Sequence, residues 1–346
     1  MPEAGPPMRS DSKATMREVA QRAGVALSSV SRVLSGHPAV SESLRRRVLT
    51  AVSEMDYEPD FTAMSLRRGS TMTVAFLVRD IASPLFSDLV KSAERELRRL
   101  GYSLLLMNSD GDPDRDAAHI RLFARRRVDG LILSLASENH PETLAALKSL
   151  RAPVVLIDRR VPEIRASAVL SDHYRGLRAA TKYLAEKGHQ RIALITGPSQ
   201  VLASRERVRG YKSGLRSAGI PADVRLLRIG SYSVEFGTDQ VTQLLREPNP
   251  PTAVIAGAVM LSYGALQAIR RLGLSVPEDV DLVSCDPWPF PELFEPALTV
   301  VRRDATQMGR TAADLVIQAI TAGTFDEIVL PTELVIGSGS RTPASR

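Results

Sequence analysis

The sequence of 346 residues contains a single cysteine, Cys285, and no apolar run that approaches the ~20 residues of a membrane-spanning helix. One cysteine excludes an internal disulfide framework and is typical of a protein in a reducing compartment. The opening stretch MPEAGPPMRSDSKA lacks the apolar core of a secretory signal. We therefore expect a cytoplasmic protein whose residues 1–14 form a disordered tail.

Groups for catalysis or cofactor binding are also scarce. The five histidines include no pair at the spacing that holds a metal ion on one helix, and the cysteine lies in no nucleophile motif. Neither GPS at 197–199 nor SGS at 338–340 extends to a phosphate-binding loop. The sequence predicts a protein that is not an enzyme and that binds no cofactor and no metal.

The charges of the chain are close to balanced. The 45 lysines and arginines against 39 acidic residues give a net charge of +6, which permits an anionic partner without proving one. Residues 1–70 hold ten basic and eight acidic side chains. The runs RRR at 45–47 and 125–127 are predicted to be solvated helix faces. The placement of charges, rather than their sum, must therefore indicate the partner.

Three apolar patterns of helical period occupy the first 60 residues. The first begins at Thr15, whose spacing to Glu18 fits a capping box, and it ends at Gly24. The second covers about 27–34, and the third begins after Ser41. Two helices joined by a short turn that contains glycine are a helix-turn-helix candidate, although any small helical bundle would show the same pattern.

Serines crowd the start of the second helix, although serine is a mediocre helix former. Ser28, Ser29 and Ser31 suit a helix end that approaches base edges and phosphates. Arg32 has two interpretations, a bidentate contact to guanine or a solvated surface arginine. Leu27 also has two, a core position by its spacing or a contact to a thymine methyl group. A recognition helix is the interpretation that accounts for the serines.

From Thr73 onward, short apolar runs alternate with amphipathic helical stretches, which is typical of parallel sheets with crossover helices. The runs fall into two comparable sets: TVAFLV, YSLLLM, GLILSL and PVVLID, then RIALIT, RLLRIG, TAVIAG and VDLVSC. Two α/β halves in series are predicted, with the carboxyl ends of their strands able to face one another across a cleft. Asp80, Asp158, Asp172 and Asp286 follow such strands. A single strand-end aspartate is more often a helix cap, but several on one cleft favour a ligand site.

The order of these parts resembles the lac-repressor-type (LacI/GalR) family of bacterial transcriptional regulators. The resemblance rests on TMREVAQRAGVALSSVSRVLSG, VSESLRRRVLTAVSEMDYEPD and TAMSLRRGST, followed by stretches such as YLAEKGHQRIALITGP and PALTVVR. It extends from about Thr15 to Ile336. It implies an all-α helix-turn-helix headpiece joined to an α/β periplasmic-binding-protein-like core of two parallel-sheet subdomains.

The resemblance also implies domain boundaries. The headpiece covers 15–59, a hinge helix or linker covers 60–72, and the core covers 73–336. The N-subdomain consists of about 73–170 and 300–330, and the C-subdomain of about 171–299 and 331–337.

The function implied by the resemblance is that of a homodimeric repressor. It binds a pseudo-palindromic operator in double-stranded DNA, and a small-molecule effector such as a sugar controls it from the cleft. The residues assigned to DNA are Thr15, Leu27, Ser28, Ser29, Ser31, Arg32, Ala63 and Leu66. Those assigned to the effector are Ser83, Phe86, Asp158, Asp172, Arg207, Tyr232 and Asp286.

The sequence leaves the class of effector open, and it disfavours two other functions. The family commonly has Ser-Asn-Asp where this chain has Gly257-Ala258-Val259, so an effector that is less polar than a plain sugar, bears an aromatic ring or is otherwise unusual is also expected. A solute-binding protein would leave the first 70 residues without a role, and an α/β enzyme would need a nucleophile–base pair that the sequence does not show.

Overall fold

The computed structural model describes residues 14–34, 39–57, 69–289 and 297–338. The chain divides into two compact units, Met1–Thr71 and Met72–Arg346. We call the first unit the headpiece and the second the core, and each is described by itself. Among the residues that the structure describes, no helix is both long and apolar enough to cross a membrane.

The headpiece contains α1 (Met16–Ala23), α2 (Leu27–Leu34) and α3 (Glu42–Glu54). α1 begins with the predicted capping box. The backbone N–H of Glu18 donates to Thr15 Oγ1 at 3.3 Å, and the backbone N–H of Thr15 donates to Glu18 Oε2 at 2.7 Å. Gly24 ends α1 with φ 62°, a left-handed conformation that glycine adopts without strain. The three helices share one buried apolar cluster.

The first half of the core is a parallel sheet of six strands. These are β1 (Thr73–Val78), β2 (Ser103–Asn108), β3 (Gly130–Leu133), β4 (Val154–Ile157), β5 (Ser167–Ser171) and β11 (Glu327–Leu330). Their order is β11-β5-β4-β3-β1-β2. The helices that cover the sheet are α4 (Pro84–Arg99), α5 (Pro113–Arg126), α6 (Pro141–Lys148) and α11 (Ala305–Ala322). α4 and α11 pack on one face, and α5 and α6 pack on the other.

The second half repeats this design. Its strands are β6 (Ile192–Thr196), β7 (Leu227–Ile229), β8 (Ala253–Ala256), β9 (Asp281–Cys285), β10 (Thr299–Arg302) and β12 (Glu333–Val335), in the order β12-β10-β9-β8-β6-β7. Its helices are α7 (His173–Glu186), α8 (Leu202–Ser217), α9 (Val234–Leu245) and α10 (Val259–Arg271). All neighbours are parallel except β12, which runs antiparallel to β10. The predicted fold class, a helical headpiece with two parallel-sheet halves, is confirmed.

One predicted boundary differs from the structure. The expected boundary near residue 300 falls before β10, but β10 lies in the second sheet, with Val300 opposite Ser284 and Val301 opposite Cys285 of β9. The chain therefore crosses between the halves three times, after β5, after β10 and after β11. These crossings bring residues from distant parts of the sequence to the space between the two halves.

Candidate functional site

One face of α2 is turned away from the headpiece core. Val30 and Val33 are buried, whereas Leu27 is 42% exposed. A leucine that contributed to the core would be buried, so the structure removes the core interpretation of Leu27. Its exposure leaves an apolar side chain at the start of α2 available for contact.

The polar residues of α2 that were assigned to DNA lie on or beside this face. Ser28 and Arg32 are exposed, and Ser29 and Ser31 are half-buried. Residues four apart on a helix are neighbours on its surface, so α2 presents the Ser28 hydroxyl next to the Arg32 side chain. A hydroxyl and a guanidinium together can contact a phosphate and a base edge. We call Leu27, Ser28, Ser31 and Arg32 the α2 face.

The starts of α1 and α2 differ in their capping. The Thr15 hydroxyl is engaged with Glu18, because Thr15 Oγ1 donates to Glu18 Oε2 at 2.9 Å. Before α2, the carbonyl of Ala26 accepts the backbone N–H of Ser29 at 2.9 Å, but the alanine side chain has no oxygen to offer. α2 therefore begins without the side-chain cap that α1 has.

Arg47 of α3 holds the turn between α1 and α2. Its Nη2 donates to the carbonyls of Ala23 and Gly24 at 2.7 and 2.8 Å. Arg47 is exposed, as predicted for a solvated helix face at 45–47, and it has this structural contact in addition. A guanidinium at the carboxyl end of α1 satisfies its last carbonyls and offsets their partial negative charge.

Two of the residues assigned to DNA, Ala63 and Leu66, lie outside the described residues. Their assignment to a hinge remains a prediction.

In the core, a cavity lies where the carboxyl ends of strands from both halves meet. It is lined by Arg79, Ser83, Leu85, Phe86, Ser134, Ile157, Asp158, Arg159, Ala203, Arg207, Tyr232, Ala258, Asp286 and Arg303. We call it the central cavity. Its free volume is about 40 Å³, which is room for a few water molecules. This is the position at which parallel α/β sheets bind their ligands.

Arg303 joins the two halves across the central cavity. Its Nε and Nη2 donate to the two carboxylate oxygens of Asp286 at 2.6 and 2.7 Å, and its Nη1 donates to Asp158. Asp158 also accepts the backbone N–H of Ser171 at 2.7 Å, and its Oδ2 lies 3.2 Å from His173 Nε2. One guanidinium thus bridges a carboxylate of each half.

Electrostatics keep this network ionised. Burial raises the pKa values of Asp158 and Asp286, but nearby charged groups outweigh it. The His173 ring and the Arg303 guanidinium hold the pKa of Asp158 below its usual range, and Arg303 does the same for Asp286. Both aspartates also have positive φ angles, 51° and 75°, in a region that residues other than glycine seldom occupy. Burial and the charge of Arg207 lower the pKa of His173 to about 4, so its ring is neutral near pH 7.

Tyr232 lies among three further arginines. Its hydroxyl accepts from Arg207 Nη1 at 3.1 Å and lies 2.7 Å from Ser204 Oγ. The Arg79 guanidinium packs against the Tyr232 ring, 4.4 Å from its centroid. The ring lies so close to Gly197 that a Cβ there would approach it to 2.1 Å, so glycine is needed at this position. Arg159 completes the group, with its Nε donating to the Leu135 carbonyl at 2.6 Å.

Glu138 forms a second link between the halves. It follows β3 and is 7% exposed. Its Oε1 accepts the backbone N–H of Leu202 at 2.7 Å, and its Oε2 accepts from Arg205 Nη2 at 2.6 Å. A loop of the first half is therefore bonded to the start of α8 in the second half.

Family models match both units of the chain. Residues 15–60 match a model described as "Bacterial regulatory proteins, lacI family", and 71–333 match one described as "Periplasmic binding proteins and sugar binding domain of LacI family". The chain belongs to the LacI family. It is accordingly a DNA-binding transcriptional repressor with an effector-binding core, in a family of regulators rather than enzymes.

Similar proteins of known role are also transcriptional regulators. The Ribose operon repressor of Escherichia coli (strain K12) is 32% identical over 314 residues, which cover 91% of this chain and 95% of that protein. A solved structure described as the lac repressor dimer bound to operator and the anti-inducer ONPF has a TM-score of 0.82 at 26% identity, covering 96% of this chain and 100% of that chain. A structure described as a transcriptional regulator CelR–cellobiose complex has a TM-score of 0.72 at 32% identity, with coverage of 94% and 100%.

The structure brings together most of the residues assigned to the effector, but not all. Six of the seven line the central cavity: Ser83, Phe86, Asp158, Arg207, Tyr232 and Asp286. Asp172 does not line it. Its carboxylate instead accepts the backbone N–H of Arg175 at 3.0 Å and caps α7. For Asp172, the structure favours the role of a helix cap over that of an effector ligand.

Sequence reasoning missed three arginines of the central cavity: Arg79, Arg159 and Arg303. Arg79 directly follows β1, Arg303 directly follows β10, and Arg159 lies two residues after β4. The strand-end rule that selected the aspartates applies equally to these three arginines.

Proposed function

We propose that this repressor binds a pseudo-palindromic operator as a homodimer, and that a small metabolite in the central cavity controls its affinity for that operator. The α2 face carries the first part of the proposal, because it presents a hydroxyl, a guanidinium and an exposed leucine on one helix that follows a short turn. These are groups that contact phosphates, guanine and the thymine methyl group. Such a protein acts on double-stranded DNA in the cytoplasm.

At the DNA, α2 lies in the major groove. Arg32 and Leu27 contact base edges, Ser28 contributes to base reading, and Ser29 and Ser31 contact phosphates. The relatives named above support this arrangement, since one of them is described as a dimer bound to operator. Two copies of α2 on a symmetric dimer require a pseudo-palindromic site.

The coupling to an effector follows from the way the core is built. The central cavity is bounded by both halves, and the three chain crossings and the Arg303 bridge connect them. A ligand held between the halves changes the relative stability of their arrangements whenever it binds one arrangement more tightly. A change in that arrangement alters the spacing of the two headpieces in the dimer and, with it, the affinity for the operator.

Selection of genomic DNA fragments by the purified full chain tests the proposal. The recovered sites should share a pseudo-palindrome, and binding should weaken steeply as salt concentration rises. Recovery of no preferred sequence at low salt would contradict it.

Arg32→Ala tests the α2 face itself. Loss of a bidentate guanine contact should weaken binding to the recovered site by roughly 10- to 100-fold, while binding to unrelated DNA changes much less. Arg22→Ala is the matched control, because Arg22 lies on α1 and pairs with Glu54. An unchanged footprint in Arg32→Ala would exclude base reading by this residue.

A further inference from the structure

The central cavity carries an excess of positively charged side chains, whereas a plain sugar is neutral and offers no charge to pair with them. Four arginines line it (Arg79, Arg159, Arg207 and Arg303) against two carboxylates, Asp158 and Asp286. Both carboxylates are paired with Arg303. The remaining three guanidinium groups therefore leave an excess of positive charge, which the neutral His173 ring does not alter.

None of these three guanidinium groups has a carboxylate within ion-pair distance among the residues that the structure describes. Arg207 donates to the Tyr232 hydroxyl, Arg159 donates to two backbone carbonyls, and Arg79 lies over the Tyr232 ring. Arg207 is 3% exposed, and its Nε has no hydrogen-bond partner within the described part of the chain. A buried cation that makes hydrogen bonds only to neutral groups is costly, so an anion that enters the central cavity would gain charge-assisted hydrogen bonds.

Helix geometry adds to this positive potential. α4 begins directly after Ser83, whose hydroxyl makes no capping hydrogen bond, and α10 begins directly after Ala258. Both residues line the central cavity, so two helix amino termini face it with their partial positive charge. The neighbouring arginines also lower the pKa of the Tyr232 hydroxyl, although burial opposes that shift.

A neutral polyol fits this cavity less well. Carboxylates bind sugar hydroxyls by accepting hydrogen bonds, but here Arg303 occupies one oxygen of Asp158 and both oxygens of Asp286. The strand end at Gly257 and Ala258 offers no polar side chain in their place.

We propose that the effector of this repressor is a small metabolite with an anionic group, a phosphate or a carboxylate, which binds to Arg79 and Arg207 in the central cavity. This proposal rests on the proposed function, since it concerns the ligand of the same site. Because the free volume is only about 40 Å³, entry of the ligand requires the half-buried Arg79 side chain to leave the Tyr232 ring, which frees its guanidinium to bind the anion.

Thermal unfolding and calorimetry of the full chain, without DNA, test the proposal with four probes: ribose, ribose 5-phosphate, ribonate and inorganic phosphate. Ribose 5-phosphate or ribonate should bind more tightly than ribose, and the stronger of the two identifies phosphate or carboxylate as the anionic group. Inorganic phosphate should compete with the stronger probe. If ribose binds as tightly as the anionic probes, or if no anionic probe binds at millimolar concentration, the proposal is wrong.

Arg79→Met removes one guanidinium and keeps most of the aliphatic stem. It should weaken binding of the anionic probe by roughly tenfold or more, because a hydrogen bond to a charged group is lost. Arg209→Met is the matched control, since Arg209 lies on α8 and pairs with Glu206 instead of lining the central cavity. Equal losses in the two variants would show binding elsewhere on the surface and would overturn the proposal. Operator binding is measured separately, so a failure of either assay is distinguishable from a failure of the other.

Discussion

The α2 face and the central cavity are built in opposite ways. The α2 face comes from nearby residues of one helix of eight residues, and its side chains are exposed or half-buried. The central cavity draws on residues from Arg79 to Arg303, and its ionised groups are largely buried. Exposed charges are solvated whether or not they are paired, whereas buried charges depend on their partners. Substitutions on the α2 face should therefore alter binding alone, and those at the central cavity should alter stability as well.

Arg303→Met should cause the largest loss of stability at the central cavity. It leaves Asp158 and Asp286 buried without their shared cation, and breaking a buried ion pair in this way costs about 3–5 kcal/mol. Chemical denaturation of the full chain should show that loss in the core transition. Because unpaired buried carboxylates have raised pKa values, the variant should regain stability relative to the parent as the pH falls.

Arg302→Met is the control for this experiment. Arg302 is the neighbouring residue, but its side chain is 55% exposed and its partner Glu333 is 63% exposed, so the pair contributes at most about 1 kcal/mol. Similar losses in both variants would show that the buried bridge of Arg303 is no more important than a surface ion pair.

The α2 face and the central cavity also differ in how much of each could be predicted from the sequence. The capping box at Thr15, the turn at Gly24 and the bounds of α2 depend on neighbours within four residues, and all of them could be predicted. Asp158 and Asp286 could be placed at strand ends, because parallel strands share the direction of their carboxyl ends. Asp172 satisfies the same rule yet caps α7, and no local pattern separates the two outcomes.

The arginine partners required the structure. Arg303 meets Asp158 across 145 residues of sequence and Asp286 across 17, and it does so because β10 belongs to the second sheet. The boundary expected near residue 300 lies before β10 rather than after it. Long-range pairing of this kind depends on strand order, which the apolar pattern of a strand does not encode.

Glu138→Gln should have an intermediate effect on stability, and it compares a buried with an exposed carboxylate within the core. The amide can still accept the backbone N–H of Leu202, but the charge paired with Arg205 is lost. Because Glu138 is buried and Arg205 is 45% exposed, we expect a loss of about 1–2 kcal/mol in the free energy of unfolding. Glu142→Gln, whose partner Arg121 is exposed, should change it by less than about 0.5 kcal/mol. Equal effects would mean that the Glu138 link does not hold the two halves together.

Ala26→Ser should give the smallest change, and it tests whether α2 can be stabilised without changing what the α2 face recognises. A serine at the residue before α2 can accept a backbone N–H of its first turn, which stabilises a helix by about 1 kcal/mol. Hydrogen exchange of the α2 amides should slow, and operator affinity should rise with little change in sequence preference, since the α2 face itself is untouched. The same substitution at the exposed Ala145, inside α6, is the control, because serine within a helix is slightly unfavourable. A loss of operator affinity in Ala26→Ser would show instead that the alanine accommodates the shape of the DNA at this position.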